Sequence, residues 1–283
     1  MTTPPPVLDP DAVARALPAA GRVVVVARTG STSTDLVAAA RAEPAAWPDR
    51  SVLVADHQAG GRGRAGRTWT TPPRAALTVS VLLRADVPAD RLGWLPLLAG
   101  LAVVRAVGEA AGTRAALKWP NDVIVPAPDG TEQPGWRGWR KLAGVLCEVV
   151  PDAGPPPGAA PRYDVVVGVG INVAQSTAEL PVPTAASLRT LGAQVDRTDL
   201  LASLVRHLTE LDERWRAGDP GLPDEVARAC VTLGTPVRVE LPGGGTVEGT
   251  ATALGPDGAL VVEDAAGRSR DVHAGDVQHL RAR

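Results

Sequence analysis

The chain has 283 residues, of which 45% are hydrophobic and 21% are charged. These values indicate a globular protein with a sizeable core, built as one large domain with or without a small second one. The formal net charge of −2 argues against nucleic acid as the main partner, although it leaves room for a local basic patch.

The N-terminal segment and the two cysteines exclude further classes. The opening MTTPPPVLDPDA has neither a basic region nor an apolar run and therefore predicts no signal peptide. No run of about 18 uncharged apolar residues occurs, which predicts no membrane span. Cys147 and Cys230 are too few for a disulfide framework and form no metal-ligand pair. We therefore expect a cytoplasmic protein.

Apolar patterning predicts the secondary structure in chain order. The Pro- and Ala-rich residues 1–20 predict a loose tail or a capping helix. Apolar runs predict strands over residues 22–27, 51–58, 77–85, 115–119, 121–125, 141–150 and 162–173. Helices are expected from near Asp35 with a cap among residues 31–34, over 92–112 ending at Gly112, and over 199–217 capped by Thr198. Pro- and Gly-rich segments at 126–139 and 151–161 predict long loops.

The character of the sequence changes near residue 231. Beyond it, short strand-like runs alternate with the turn sequences PGGG, GPDG and AAGR, which predicts a small β-barrel resembling the SH3 type. The expected fold class is therefore α+β. Its parts are a tail over residues 1–20, a large domain over 21–230 and the small barrel over 231–283.

Four residues stand out because their residue types are otherwise almost missing. The chain has no Phe, two Ile, two Asn and two Lys against 27 Arg, a bias typical of strong G+C pressure on codons. Under such pressure Lys drifts to Arg wherever Arg is tolerated, and a wide guanidinium cannot replace a compact ammonium at a tight site. The segments LKWPNDVIV, RKLAGVLCEVV and VVVGVGINV contain Lys118, Asn121, Lys141 and Asn172. We predict functional roles for these four residues.

The segment DHQAGGRGRAGRTWTTPP (56–73) alternates glycine with arginine. It contains Gly60, Gly61, Gly63 and Gly66 around Arg62, Arg64 and Arg67. Such a loop has little of its own to bury, and its glycines make it entropically costly to order. Backbone N–H groups without a nearby Cβ can approach a phosphate closely while arginines clamp its oxygens. The Walker A pattern is not present in the chain, so this loop predicts another kind of anion site.

Five motifs in a fixed order make the chain resemble the biotin protein ligases. They are GSTSTDL, GRGRAGRTW, KWPND, KLAGVLCEVV and GVGINV, and the resemblance covers residues 22–283. It implies a mixed-sheet catalytic domain of the biotin/lipoate ligase type followed by the SH3-like barrel. It also implies that ATP with Mg²⁺ activates biotin to biotinyl-5′-AMP. The biotinyl group then passes to a lysine of a biotin carboxyl carrier domain, as in acyl-CoA or pyruvate carboxylases.

The same resemblance implies roles for individual residues. The biotin-binding set is Ser31, Thr32, Gln58, Gly61, Arg62, Arg64, Lys141, Gly144 and Leu146. The ATP- and adenylate-binding set is Arg62, Arg64, Arg67, Trp69, Lys118, Asn121, Asp122 and Asn172. Lys141, Arg64 and Lys118 would be catalytic, and Asp122 would contact the metal. Ser33 stands where the family usually has Asn, which puts a ligand role for this position in doubt.

Three alternatives to a biotin ligase follow from the same residues. A lipoate or octanoate ligase or transferase shares the catalytic fold but has a different glycine-rich signature. A non-catalytic sensor of biotinyl-adenylate would regulate transcription, yet the sequence leaves no room for an N-terminal helix-turn-helix domain and retains both lysines. A third is a protein-interaction module built around the terminal barrel. We expect a monofunctional ligase, monomeric or weakly dimeric, with no nucleic-acid or membrane partner.

Overall fold

A computed structural model describes residues 5–151 and 162–280. The predicted loop over 151–161 therefore lies, apart from its first residue, outside the described residues. The helices are α1 (Pro10–Ala16), α2 (Thr32–Ala42), α3 (Leu95–Ala111), α4 (Arg197–Arg216) and α5 (Leu222–Ala229). The first nine strands are β1 (Val23–Val26), β2 (Val52–Ala55), β3 (Gly61–Arg62), β4 (Thr68–Trp69), β5 (Ala76–Ala85), β6 (Ala116–Lys118), β7 (Asp122–Pro126), β8 (Trp139–Val149) and β9 (Tyr163–Asn172). The last five are β10 (Pro236–Glu240), β11 (Thr246–Leu254), β12 (Leu260–Glu263), β13 (Ser269–Val272) and β14 (Asp276–His279).

A seven-stranded mixed sheet forms the centre of the molecule, in the order β1-β2-β5-β9-β8-β7-β6. β1 and β2 are parallel, and the other neighbouring pairs are antiparallel. Successive side chains of a strand point to opposite faces of the sheet. On β5, Val81 and Leu83 join the large core that contains α3 and α4, whereas Leu82 joins the smaller core beneath α2. The sheet is thus covered by helices on both faces, and the expected α+β class is confirmed.

The helix starts show where local capping differs from the prediction. α2 begins at Thr32 rather than near Asp35, and Ser31 is its N-cap. α4 begins at Arg197, so the predicted cap Thr198 is wrong. The cap is Asp196, whose carboxylate accepts hydrogen bonds from the backbone N–H groups of Thr198 and Asp199, as an N-terminal aspartate does well. The N-terminal segment forms a short helix, and α5 was not predicted at all.

The segment Ala89–Ala111, which includes α3, is long and apolar enough to cross a membrane by length and composition. In this structure 61% of its most apolar 18-residue stretch is buried inside the protein. The buried residues of α3 belong to the large core together with those of α4 and the sheet. The helix ends at Gly112, which adopts a left-handed conformation with φ +61, as the predicted C-cap requires.

The C-terminal segment forms a five-stranded antiparallel sheet in the order β13-β12-β11-β10-β14. This confirms the predicted β-rich character, while the SH3 type stays a prediction. Two tryptophans of the large domain form hydrogen bonds to this C-terminal segment. The indole N–H of Trp94 donates to Pro256 O at 2.8 Å. The indole N–H of Trp119 donates to Gly258 O at 3.1 Å. This docking places β14 beside the edge strand β6, where the candidate site lies.

Candidate active site

One polar cavity collects most of the predicted site residues. It lies between the N-terminus of α2, the β3–β4 hairpin, strands β8 and β9, the β6–β7 turn and β14. The space open to water is about 140 Å³, several times what one water needs, which suits a small-molecule ligand. The predicted residues that line it are Ser31, Thr32, Gln58, Arg62, Arg64, Arg67, Trp69, Lys118, Asn121, Asp122, Lys141, Gly144 and Leu146.

Glycines of two neighbouring strands form the floor of the cavity. Gly144 of β8 is paired with Gly170 of β9, and Gly168 lies two residues before Gly170 on the same face. A Cβ at Gly170 would lie 2.7 Å from the Trp69 ring, and a Cβ at Gly168 would lie 2.2 Å from Ser33 Oγ. The glycines therefore let both side chains lie directly on the sheet.

The N-terminus of α2 forms a buried polar end of the cavity. Gln58 Oε1 accepts hydrogen bonds from the Thr32 backbone N–H at 2.7 Å and from Thr32 Oγ1 at 2.9 Å. Ser80 Oγ donates to Thr32 Oγ1 at 2.8 Å, and Ser33 Oγ lies 3.0 Å from Ser80 Oγ. These bonds use the amide oxygen of Gln58, so its amide nitrogen remains available as a donor. This end can therefore recognise a neutral polar group, such as a urea.

The glycine–arginine segment is a small hairpin in which each arginine has a partner. Arg62 donates to Glu148 Oε1 at 2.8 Å, and Arg64 donates to Asn121 Oδ1 at 3.2 Å. Arg67 forms an ion pair with Asp276 of β14. Burial lowers the pKa of Arg64 below its ordinary value, although the guanidinium stays charged. Contacts within the protein thus direct the three arginines to groups around the cavity.

Lys118 at the end of β6 is the most buried cation of the cavity, with 5% of the residue exposed. Its Nζ donates to Val277 O of β14 at 2.6 Å. Burial lowers the pKa of Lys118 below its ordinary value, and the nearby Asp122 carboxylate partly offsets this. A buried ammonium held by a carbonyl is well placed to neutralise a bound phosphate.

Lys141 reaches the cavity because β8 contains a bulge. Strict alternation along β8 would place Lys141 on the face opposite Gly144. The register with β7 shifts between Val123, which is paired with Ala143, and Ile124, which is paired with Lys141. The extra residue, Leu142, turns Lys141 onto the same face as Gly144, as bulges near sites do. The Lys141 Nζ lies 2.6 Å from Asp122 Oδ1. The neighbouring Arg140 is buried outside the cavity, where its guanidinium donates a hydrogen bond to Thr131.

Two predicted residues do not line the cavity. Gly61 lies in the hairpin behind it, where a Cβ would meet Trp69 O at 2.4 Å, so glycine is needed for the close pairing of β3 and β4. The Asn172 side chain donates to Ala186 O at 3.0 Å and accepts from Gln175 Nε2 at 2.8 Å. The structure therefore does not place Asn172 against a nucleotide in the cavity, and its amide instead joins β9 to the segment that follows it.

Several cavity residues were not predicted from the sequence. Asp276 and Val277 come from the C-terminal sheet, and Ser33 was left in doubt. Only the position of β14 beside β6 reveals the first two, since their segment carries no motif. The Ser33 hydroxyl lies against Gly168, where any Cβ would overlap it.

The cysteines and histidines offer no rival chemistry at this site. Burial raises the pKa of the Cys147 thiol to about 12, so it stays protonated. His279 is buried against Thr232 Oγ1 at 3.1 Å, and burial lowers its pKa to about 4, so it stays neutral.

The fold and the site together define a ligase that activates a small carboxylic acid with a nucleotide. Residues 25–172 match the Biotin/lipoate A/B protein ligase family, and residues 232–280 match the Biotin protein ligase C terminal domain. The chain is 43% identical over 262 residues to the Biotin–[acetyl-CoA-carboxylase] ligase of Mycobacterium tuberculosis, covering 91% of this chain and 88% of that one.

A second relative and a solved structure agree with that assignment. The chain is 29% identical to the Biotin–[acetyl-CoA-carboxylase] ligase of Paracoccus denitrificans, over 86% of this chain and 95% of that one. The biotin protein ligase of Aquifex aeolicus, solved in complex with biotin and ATP, superposes with a TM-score of 0.70 at 26% identity, over 93% of this chain and 100% of that one. The chain belongs to the biotin protein ligase family.

Proposed function

We infer that this chain activates biotin with ATP to biotinyl-5′-AMP and transfers biotin to a lysine of a biotin carboxyl carrier domain. The observation that carries this inference is the convergence of Lys118, Lys141 and Arg64 on one cavity that ends in the polar pocket at α2. The neutral pocket suits the ureido ring of biotin, and the cations suit its carboxylate and the phosphates of ATP.

The first half-reaction brings two anions together. An oxygen of the biotin carboxylate attacks the α-phosphorus of ATP, the bond from that phosphorus to the bridging oxygen breaks, and pyrophosphate leaves. The carboxylate is ionised at neutral pH, so this step needs no general base. The barrier is largely electrostatic, and cations fixed in a partly buried site lower it strongly. Lys141, Lys118 and Arg64 supply these cations.

The second half-reaction transfers the biotinyl group. The uncharged ε-amine of the carrier lysine attacks the carbonyl carbon of the mixed anhydride, AMP leaves with the bonding electrons, and the nitrogen loses a proton. Water competes with the amine for the same carbonyl, so the enzyme has to exclude it. The β3–β4 hairpin, which lines one side of the cavity, is the element suited to this task.

The site fits a magnesium ion that arrives with the nucleotide. The described residues contain no cluster of three or more His, Cys, Asp or Glu side chains able to hold a metal. The cavity does contain the carboxylates of Asp122 and Asp276, and Mg²⁺ commonly uses one or two carboxylates together with phosphate oxygens. We propose Asp122 as the protein ligand of Mg²⁺, which would neutralise phosphate charge when bound.

The partners and location are part of the same proposal. The names of two relatives give acetyl-CoA carboxylase as the protein to which they attach biotin. We therefore propose a biotin carboxyl carrier domain of an acyl-CoA or pyruvate carboxylase as the acceptor. We also propose a cytoplasmic monomer or weak dimer without a nucleic-acid or membrane partner, which accords with the net charge of −2.

A direct assay tests the function. The purified chain is incubated with Mg-ATP, biotin and a carrier domain, and biotin on the carrier is detected by mass spectrometry. A carrier whose acceptor lysine is replaced by arginine serves as the control. We expect modification of the intact carrier only. Transfer of lipoate or octanoate in preference to biotin would favour the lipoate-ligase alternative, and binding of biotinyl-5′-AMP without transfer would favour the sensor.

We predict that residues 60–68 exchange their amide hydrogens faster without ligand than with biotin or biotinyl-5′-AMP. The segment is rich in glycine, and the ion pairs of Arg62 and Arg67 are largely exposed and stabilise it little, so a bound anion would add the contact that orders it. Hydrogen exchange measured by mass spectrometry checks this. The glycine-rich turn at 242–245 lies in the C-terminal sheet and provides a segment that should not respond. Equal protection of 60–68 in both states would contradict the prediction.

We also predict that Arg64→Gly releases biotinyl-5′-AMP into solution. Arg64 lines the cavity and reaches Asn121 across it, so its loss removes a clamp from the intermediate. The free anhydride would biotinylate lysines of unrelated proteins, which a blot of added serum albumin detects. Arg74→Gly is the matched control, because Arg74 is not among the cavity residues and its φ of +63 favours glycine. Labelling no stronger than with the parent enzyme would show that Arg64 is not the clamp.

A further inference from the structure

The connection between β7 and β8, residues 127–138, folds back onto the active site. Its ends are joined by a hydrogen bond from Ala127 N to Gly138 O at 2.8 Å. Within it, the backbone N–H groups of Gln133 and Arg137 each donate to the other residue's carbonyl at 2.8 Å. This long segment is therefore an ordered hairpin with a defined tip.

The tip of this hairpin lies on β14. The backbone N–H of His279 donates to Gly135 O at 3.1 Å, and a Cβ at Gly135 would lie 3.4 Å from the Gln278 side chain. Gly135 has a φ of +72, a conformation that glycine adopts without strain. The hairpin thus depends on the C-terminal sheet for its position, and this position brings Trp136 over the end of β6.

Trp136 covers the ammonium group of Lys118. The Lys118 Nζ lies 4.5 Å from the centre of the indole ring, within the range of a cation–π contact. The other close partner is Val277 O at 2.6 Å, and no Asp or Glu oxygen of the described residues forms an ion pair with this Nζ. A buried charge without a directly paired counter-ion is costly, and the ring face and the carbonyl offset part of that cost together with the nearby Asp122 carboxylate.

We propose that Trp136 is a positioning residue for Lys118, which holds its ammonium in place and directs it at the nucleotide phosphates. The proposal rests on the function inferred above. The ring and Val277 O restrain two sides of the ammonium, which leaves its remaining N–H direction for a phosphate oxygen. Trp136 does not line the cavity and need not touch the substrate. The long β7–β8 connection would then serve to carry this ring to the site.

Two substitutions separate the charge effect of the ring from its bulk. Trp136→Leu removes the negative ring face and keeps an apolar side chain, whereas Trp136→Phe keeps an aromatic face. We expect Trp136→Leu to raise the KM for ATP about tenfold, and Trp136→Phe to stay within about threefold of the parent enzyme. The affinity for biotin alone, measured by calorimetry, should stay unchanged in both. Trp139→Leu is the matched control, because Trp139 lies at the start of β8 and does not line the cavity.

A double-mutant cycle tests the link to Lys118 itself. In the Lys118→Gln background, which has no cation for the ring to hold, Trp136→Leu should cause no further rise in the KM for ATP. An equal rise in both backgrounds would overturn the proposal, as would a parent-like KM in Trp136→Leu. Should the leucine variant not fold, fluorinated tryptophan placed at position 136 alone keeps the shape and weakens the ring face. An unchanged KM would then overturn the proposal. Pyrophosphate release by the parent enzyme in the same assay tests the inferred function separately.

Discussion

Replacing Lys141 by arginine is expected to slow the formation of biotinyl-5′-AMP about 100-fold, the usual cost of losing one preorganised electrostatic contact. The Lys141 ammonium lies 2.6 Å from Asp122, and the Trp69 ring centre lies 5.6 Å away on another side. A Cβ at Gly144 would be only 3.2 Å from this Nζ. A wider and planar guanidinium would not fit between these groups without displacing one of them.

The rate of pyrophosphate release decides this prediction. Arginine preserves the charge opposite Asp122, and the ion pair is partly exposed, so we expect a stability change of at most about 1 kcal/mol. Arg268→Lys is the control, because Arg268 is not among the cavity residues and pairs with Asp264 in a turn of the C-terminal sheet. Its rate should stay near that of the parent enzyme. A parent-like rate in Lys141→Arg would leave the chemistry to Lys118 and the hairpin arginines.

Local sequence signals predicted where most strands lie. They did not predict the bulge that directs one side chain into the cavity. Apolar runs and turn residues located the strands, because period and turn chemistry are properties of neighbouring residues. Rarity of lysine singled out Lys141 for the site, yet strict alternation along β8 would place its side chain on the face opposite Gly144. The bulge that corrects this arises from pairing between β7 and β8. Such a shift of register has no local signature in either strand.

The contribution of the C-terminal sheet to the cavity could not be predicted for a related reason. Asp276 and Val277 lie more than 130 residues after Lys141 in the sequence and reach the site only through docking of β14. Rarity of residue type also singled out Asn172, and in the structure its amide is bound by Ala186 and Gln175 and does not line the cavity. A rare residue type indicates that a position is constrained. Only the fold shows whether a ligand or a contact within the protein constrains it.

The glycine floor leads to the last prediction, which is that Gly170→Ala weakens biotin binding about tenfold to a hundredfold. The new Cβ would lie 2.7 to 2.9 Å from three atoms of the Trp69 ring, closer than van der Waals contact allows. Gly170 lies within the extended strand β9, so alanine is compatible with its backbone and the whole cost comes from the ring. Overpacking of this kind costs about 1–3 kcal/mol. If the ring moves into the cavity to relieve the overlap, a cost of this size corresponds to the expected loss of biotin affinity.

Calorimetric titration with biotin measures this loss, and a second substitution identifies its cause. Combining Gly170→Ala with Trp69→Leu should weaken biotin binding no more than Trp69→Leu alone does, because the clash then has no ring to displace. Gly138→Ala is the matched control, since a Cβ there meets nothing within 4 Å. Unchanged affinity in Gly170→Ala would mean that Trp69 has room to move away from the sheet. The ring would then not set the shape of the cavity, and the hairpin arginines alone would have to hold the ligand against the floor.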